Sequence, residues 1–297
     1  MQVVDPHIHL WDLEINSYPW LANPGDIFTG DYRSIAKTHL LAHFDADAGS
    51  IKAAKLVHID AGHDPTDPVR ETRWLQSIAD DPASKGRPNA IIGSADFSKD
   101  DVEYTLAAHV ESPNFRGIRQ ILNVHSNRKL DYVGRHYMAE SGWRERFKLL
   151  AKYGLVFDLQ LYPHQMRDAA TLASENPDVP IILNHTGMFA DRNSVEGWRI
   201  WRDGLRTLAA QPNVWVKISG MGMLDHAWTT ESIRPYVLET IDALGTDRAM
   251  FASNFPVDRL YSSYETLWTA YASIVADMTA AEQAALFRFN ANRIYRL

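Results

Sequence analysis

The 297-residue chain contains no cysteine. Disulfide frameworks and thiolate chemistry are therefore excluded, and any bound metal must be held by histidine and carboxylate side chains. The chain has no lysine- and arginine-rich run and a formal net charge of −7, so nucleic acids and anionic membranes are not expected partners. No apolar run reaches the roughly 20 residues that span a bilayer, and no signal-peptide pattern is present. These absences predict a soluble, cytoplasmic protein, and they leave both a monomer and a homo-oligomer open.

Eight short runs rich in β-branched residues alternate with helical patterns along the chain. This alternation is typical of parallel βαβ units, and mostly apolar runs indicate strands buried on both faces. The first run ends in His7-Ile8-His9 rather than in the glycine-rich turn of an open dinucleotide-binding sheet. We therefore predict one α/β domain over residues 1–297, a (β/α)8 TIM barrel with long loops after strands one and four. The predicted strands are residues 2–7, 55–60, 90–95, 116–122, 155–161, 180–185, 213–219 and 249–254, and clear helical patterns cover 69–79, 143–153, 197–210 and 233–244.

Two long loops are predicted at residues 10–32 and 122–140. Both follow strands, so both belong to the C-terminal face of the barrel, where active sites of this fold occur. The first loop is rich in aromatic residues such as Trp11, which either cover a substrate or only plug the mouth of the barrel. In the second loop, His125 is a candidate to bond a substrate hydroxyl group.

Histidines close the first and sixth predicted strands. His7 and His9 are two residues apart, so alternation places them on one face of the strand, together with Val3 and Asp5. Two imidazoles that converge at the barrel mouth suit a zinc ion. His185 ends the sixth strand and is predicted to be a third ligand or a general base. The alternative for these histidines is a structural role with bonds to the backbone.

A lysine is predicted inside the barrel. Alternation on the seventh strand puts Trp215, Lys217 and Ser219 on one face, and a purely apolar set on the other face should contact the surrounding helices. A buried ammonium group needs an anionic partner, and strands one and five offer Asp5 and Asp158. We expect a structural ion pair in the barrel centre, with a cation that polarises the substrate as the alternative.

Ordered motifs along nearly the whole chain resemble those of the amidohydrolase superfamily. They match its family 2, and within it the lactonase group that opens sugar-acid and dicarboxylate lactones. The matching segments are DPHIHLWD at 5–12, YPWL at 18–21, RGIR at 116–119, FDL at 157–159, PHQ at 163–165, NHTG at 184–187, KISG at 217–220, SNFP at 253–256 and NA at 290–291.

The resemblance implies a TIM-barrel hydrolase that opens a lactone, the cyclic ester of a sugar acid or small carboxylic acid, by water attack at the barrel mouth. It implies a small-molecule substrate and a role in carbohydrate metabolism. It also implies one zinc ion on His7, His9 and His185, or no metal, because the fourth strand lacks the lysine of two-metal members. Arg119 could bind a carboxylate of the substrate as a bidentate partner, or it could form a salt bridge that closes the barrel wall. The candidate substrate contacts are Arg119, His58, His125, Trp11 and Asp258.

The chain departs from the family pattern at two aspartates. Asn254 replaces the aspartate that ends the eighth strand, and Asn184 replaces that of the sixth. Asparagine cannot take a proton near neutral pH, although Asn254 could orient a water or donate to an oxyanion. We therefore predict His185 as the general base, with Asp258 and His58 as alternatives. The replacement also leaves open a non-oxidative decarboxylase of the same superfamily and a binding protein without catalytic activity.

Overall fold

The computed structural model describes residues 1–24 and 26–297; Gly25, which belongs to the first predicted loop, lies outside the described residues. Eight parallel strands follow one another around one sheet in chain order, which confirms the predicted α/β barrel. The strands are β1 (Gln2–Ile8), β2 (Lys52–Ile59), β3 (Ala90–Ser94), β4 (Phe115–Ile121), β5 (Val156–Gln160), β6 (Ile181–Leu183), β7 (Val214–Ile218) and β8 (Ala249–Phe251). A short antiparallel ribbon pairs Asp26–Ile27 with Gly30–Asp31.

The barrel closes where the chain beyond β8 meets the end of β1. Ile8 forms a parallel bridge with Phe255. The backbone N–H of His9 donates to the oxygen of Phe255 at 2.8 Å, and that of Asn254 donates to the oxygen of His7 at 2.8 Å. The closure therefore brings the first and last strand ends, with their polar side chains, next to each other.

Helices surround the sheet, and none in the described part of the chain is long and apolar enough to cross a membrane. The predicted helix at 143–153 is two helices, whereas the other three predicted helices are single ones with slightly longer bounds. The α-helices are Pro19–Ala22, Leu41–Ala48, Pro68–Asp80, Val102–Val110, Ser141–Phe147, Leu149–Lys152, Met166–Glu175, Val195–Ala209, Met221–Leu224, Thr230–Leu244, Tyr264–Ile274, Ala280–Ala284 and Asn290–Tyr295, with a short helical segment at His185–Met188.

The helix Val195–Ala209 shows how local sequence sets these elements. Ser194 precedes it and accepts a hydrogen bond from the backbone N–H three residues further on, which satisfies one of the free donors at a helix start. Trp201, Leu205 and Leu208 recur at helical spacing and are fully buried. The helix therefore packs this apolar stripe onto the outside of the barrel.

Strand β7 confirms the predicted alternation. Val214, Val216 and Ile218 pack in the large cluster between the sheet and the helices. Trp215 packs with the smaller cluster that includes residues of other strands and of the C-terminal helix. Lys217 is fully buried on this inner side. Strand β7 thus separates an apolar outer layer from an inner face that can carry polar groups.

Strand β1 does not alternate regularly. Its register on β2 shifts between Val3 and Val4 and again after Asp5, where Pro6 cannot donate a backbone hydrogen bond. Val3 packs in the outer cluster and Val4 in the inner one. Asp5 accepts a hydrogen bond at 3.0 Å from the hydroxyl of Tyr264 in the surrounding helix layer. The prediction that Val3 and Asp5 share the inner face with the two histidines is therefore wrong.

The predicted ion pair lies inside the barrel. Lys217 Nζ donates to Asp158 Oδ1, and both side chains are fully buried. The hydroxyl of Tyr295, in the C-terminal helix, donates to Asp158 Oδ2 at 2.9 Å. Lys217 is therefore paired with Asp158 rather than with Asp5.

The first long loop forms a small core of its own beside the barrel mouth. Trp11, Tyr18 and Tyr32 are buried together there. The indole N–H of Trp11 donates to the backbone oxygen of Lys37 at 2.7 Å. The loop is thus fixed by packed aromatic rings at the end of the barrel where the polar strand ends converge.

Candidate active site

A cavity of about 280 Å³ opens at the C-terminal end of the barrel. Polar side chains at or near the carboxyl ends of five different strands converge on it, as expected where the ends of parallel strands meet. The walls above them come from the long loops and are largely aromatic and aliphatic. The polar residues at the cavity include His9, Arg119, Gln160, His185 and Asn254.

The three predicted strand-end histidines form one cluster. The ring centre of His7 lies 5.0 Å from that of His9 and 4.5 Å from that of His185. Burial, followed by neighbouring positive charge, holds the pKa of each imidazole well below its usual range. All three rings are therefore neutral near pH 7.

His185 presents one nitrogen for chemistry. Its Nδ1 lies 2.9 Å from the hydroxyl oxygen of Ser219, which can accept the Nδ1 hydrogen. In the tautomer that donates from Nδ1 to Ser219, the lone pair is on Nε2, and the side chain lines the cavity. Gly220 makes this placement possible, because a Cβ at that position would lie 2.7 Å from His185 Nδ1.

Backbone conformation at two strand ends is unusual. His185 has a φ of 54° and Asn254 a φ of 61°, both in the left-handed region that few non-glycine residues adopt. Asparagine tolerates this region better than most residues, whereas histidine is held there by its surroundings. Such conformations concentrate at functional sites, and here they turn both side chains toward one cavity.

Asn254 is oriented by a buried carboxylate. Its amide Nδ2 donates to Asp258 Oδ2 at 2.9 Å, while its Oδ1 lies 3.3 Å from His9 Nε2. His9 donates from Nδ1 to the backbone oxygen of Ile59 at 2.8 Å, so its neutral ring carries a lone pair at Nε2. Two acceptors thus face each other at the cavity, and together they can receive a hydrogen of a bound water.

Arg119 already has a carboxylate partner. Its Nη2 donates to Asp60 Oδ2 at 3.2 Å and to the backbone oxygen of the same residue. Its Nη1 donates to Gln160 Oε1 at 3.3 Å, which leaves the amide N–H groups of Gln160 for a ligand. The guanidinium group reaches the cavity with its charge balanced, and it retains N–H capacity for a neutral acceptor such as a carbonyl oxygen.

Residues 4–297 match the family model described as Amidohydrolase. The chain belongs to the amidohydrolase family. An uncharacterized protein, y4mH, of Sinorhizobium fredii is 50% identical, with 99% of this chain and 98% of the relative covered. An L-fucono-1,5-lactonase of Burkholderia multivorans is 28% identical, with 99% and 96% covered. The crystal structure of an amidohydrolase from Burkholderia multivorans with bound zinc is similar in fold, with a TM-score of 0.81, 24% identity and both chains fully covered. Membership in this family makes the protein an enzyme of the hydrolase class.

The zinc ion that the amidohydrolase resemblance implies does not fit the residues present. Lys217 Nζ lies 3.5 Å from His7 Nδ1. An ammonium group that donates to Nδ1 leaves the hydrogen of the neutral ring on Nε2, which then cannot ligate a metal and has no hydrogen-bond partner among the described residues. No carboxylate joins the histidines, and within residues 1–24 and 26–297 no three histidine or carboxylate side chains are arranged so that they could hold a metal ion. The positive charge of Lys217 close to His7 opposes a divalent ion at this cluster.

Four of the predicted substrate contacts lie outside the cavity lining. His58 is fully buried, and its Nδ1 accepts from the backbone N–H of Leu10 at 3.1 Å. Trp11 packs in the first-loop core, and His125 stacks edge-on against Tyr162. Asp258 contacts Asn254 instead of the cavity. Of the three candidate bases, His185 is the one that lines the cavity.

Sequence reasoning missed three kinds of residue at the site. Asp60 follows His58 at a spacing of two, which repeats the pattern of His7 and His9 and could have signalled an inward carboxylate. Alternation on the seventh strand places Ser219 on the inner face but does not indicate that it contacts His185. The loop residues that form the cavity walls carry no comparable signal, because their position depends on how the long loops pack.

The buried histidines predict loss of stability in acid. Below about pH 6.5 an unfolded chain protonates its histidines, whereas the folded protein does so only at lower pH, so the free energy of unfolding falls as the pH falls. Two buried carboxyl groups act in the opposite sense, because burial makes them take up protons at higher pH in the folded state. We expect the melting temperature to fall from pH 7 to pH 5. A rise over that interval would mean that the buried carboxyl groups outweigh the buried histidines. Burial lowers the pKa of His7, His9, His185, His39 (to about 3) and His109 (to about 4), and it raises the pKa of Asp5 (to about 6) and Asp258 (to about 7).

Proposed function

We propose that the protein hydrolyses a lactone at the cavity, with His185 as the general base. The observation that carries the proposal is the placement of a neutral imidazole, with its Nε2 available, in the same cavity as Arg119 and the amide of Asn254. The relatives named L-fucono-1,5-lactonase support the same reaction type.

Each polar group at the cavity has a role in this reaction. Asn254 Oδ1 accepts one hydrogen of the attacking water, and His185 Nε2 removes the other as the water oxygen bonds to the carbonyl carbon. A free N–H of Arg119 stabilises the negative charge that develops on the carbonyl oxygen. The imidazolium of His185 then returns its proton to the ring oxygen as the ester C–O bond breaks. The products are a hydroxyl and a carboxylic acid on one open chain, and the acid releases its proton to solvent to become a carboxylate.

The proposed reaction needs no resident metal. A variant at Asn254 tests whether the missing carboxylate at this position is what limits zinc binding. Replacing Asn254 with aspartate adds an anionic oxygen 3.3 Å from a histidine nitrogen, and aspartate tolerates the same backbone conformation. We expect zinc, measured by elemental analysis after dialysis, to be substoichiometric in the wild type and increased in Asn254→Asp. Asn127→Asp, in an exposed loop, is the matched control and should take up none. If zinc content does not change in Asn254→Asp, this position does not limit metal binding.

The direct test is a panel of lactones whose opening is followed by acid release with a pH indicator. Hydrolysis by the wild type supports the proposal. The decarboxylase alternative is less consistent with the site, because both Arg119 and Lys217 already pair with carboxylates and neither is left to hold one. Loss of carbon dioxide from an aromatic acid, with no lactone opened, would establish that alternative.

A further inference from the structure

The cavity divides into a polar floor and an apolar wall. The floor holds the groups that act on an ester carbonyl in the proposed reaction. The wall rises from the loops after β1, β4, β7 and β8. It is formed mainly by hydrophobic side chains, among them Trp20, Tyr32, Ile35, Ile121, Met223 and Val257.

The polar edges of Trp20 and Tyr32, two of the aromatic residues of the wall, are used within the protein. Trp20 Nε1 donates to the backbone oxygen of Ala61 at 2.7 Å. The hydroxyl of Tyr32 donates to the backbone oxygen of Trp20 at 2.9 Å. The faces of both rings are therefore the parts that a ligand can contact, and they favour apolar groups.

Beyond the groups that act on the ester, the floor offers the amide N–H groups of Gln160 and Nε2 of His9 to further polar groups. Asn254 Nδ2 is bonded to Asp258, His9 Nδ1 to Ile59, and Gln160 Oε1 to Arg119. A polyhydroxylated ring would bring several hydroxyl groups against the wall, where each loses its bonds to water without gaining a partner. The wall therefore selects against sugar lactones.

The charge of the cavity also argues against a carboxylated ligand. Among the described residues that line the cavity, Arg119 is the cationic side chain, and Asp60 lies against its guanidinium group at 3.2 Å. A second carboxylate would face Asp60 as well as Arg119, so it would gain little net attraction.

We infer that the substrate is an uncharged lactone with an apolar alkyl or aryl substituent, whose ester ring lies on the polar floor and whose substituent lies against the loop wall. This inference rests on the proposed lactonase function and names its substrate class. Such a substrate presents an apolar group to the wall, whereas a sugar-acid or dicarboxylate lactone would present hydroxyl or carboxylate groups.

The test compares three six-membered lactones that share the reacting ester. They are δ-decalactone with an alkyl chain, D-glucono-1,5-lactone with hydroxyl groups, and a 1,5-lactone with a carboxylate on the ring carbon that carries the ring oxygen. We expect kcat/KM for δ-decalactone to exceed the other two values by about tenfold or more. Binding of the corresponding alkyl and polyhydroxylated lactams, which resist hydrolysis, is measured by calorimetry as a readout independent of turnover.

A matched pair of variants locates the selectivity. Val257→Thr keeps the shape of a wall residue and adds one hydroxyl group, so kcat/KM for δ-decalactone should fall by about threefold to tenfold while the alkyl lactam binds more weakly. Val110→Thr makes the same change at an exposed helix end and should behave as the wild type. Equal effects in the two variants would contradict contact between the substituent and the wall.

The outcomes separate the two proposals. Preference for D-glucono-1,5-lactone or the carboxylated lactone, with hydrolysis intact, overturns the substrate class and upholds the lactonase function. Tight binding of the alkyl lactam without hydrolysis of any lactone overturns the function and supports the apolar ligand class. Neither binding nor hydrolysis overturns both.

Discussion

Lys217→Met is expected to reduce the free energy of unfolding by about 3–5 kcal/mol, because it removes one partner of a buried ion pair. Methionine keeps most of the volume of the side chain, so the loss reports the charge rather than a cavity. Asp158 would remain fully buried. Of its two side-chain donors, Lys217 and the Tyr295 hydroxyl, only the hydroxyl would be left. Burial lowers the pKa of Lys217 to about 8, against the effect of Asp158, so the ammonium form is still the major one at pH 7. Chemical denaturation at pH 7 measures the difference.

Two further variants make the interpretation of Lys217→Met specific. Lys148→Met is the matched control, because Lys148 is mostly exposed and its ion pair with Glu145 should contribute less than about 1 kcal/mol. Adding Asp158→Asn to Lys217→Met removes the buried carboxylate that has lost its cation, and it should recover part of the lost stability. Wild-type stability in Lys217→Met would mean that the ammonium group does not occupy the barrel centre.

The fold was predictable where alternation was unambiguous. On β7 one face is wholly apolar, so the inward direction of Lys217 follows from the sequence and the structure confirms it. On β1 the same argument fails for Asp5, because the strand shifts register around Pro6. A bulge changes which face each later residue occupies, and nothing in a period-two pattern marks it except the proline.

The site was predictable in part for a similar reason. Strand-end residues such as His7 and His185 converge because parallel strands finish at one end of a barrel, and this follows once the strands are assigned. The pairing of Arg119 with Asp60 depends on two side chains that meet across strands, and alternation gives only the face of each. The walls depend on the conformation of long loops, which no periodicity encodes.

Replacing His185 with asparagine is expected to lower kcat/KM for the best lactone substrate by about 10²–10⁴-fold, the usual contribution of a general base. Asparagine tolerates the positive φ of this position and can bond to Ser219, so the fold should survive the change. The low pKa of His185, caused by burial and then by Arg119 and Lys217, keeps the base unprotonated below pH 6.5. In the wild type, protonation of His185 should therefore not limit kcat/KM between pH 8 and pH 6.5. A change over this interval would report Asp258, whose pKa burial raises to about 7, or Lys217, whose pKa burial lowers to about 8.

The control and the binding data decide whether His185 acts in the chemical step. His136→Asn makes the same substitution in the exposed part of the second loop and should retain wild-type kcat/KM. In His185→Asn the loss should lie in kcat, with lactam binding within about threefold of the wild type, because the residue acts on water rather than on the ligand. External imidazole should restore part of the rate, since the truncated side chain leaves space beside Gly220. Unchanged kcat in a folded His185→Asn variant would assign the base to another group, and the buried carboxyl of Asp258, which holds Asn254, would be the next to replace.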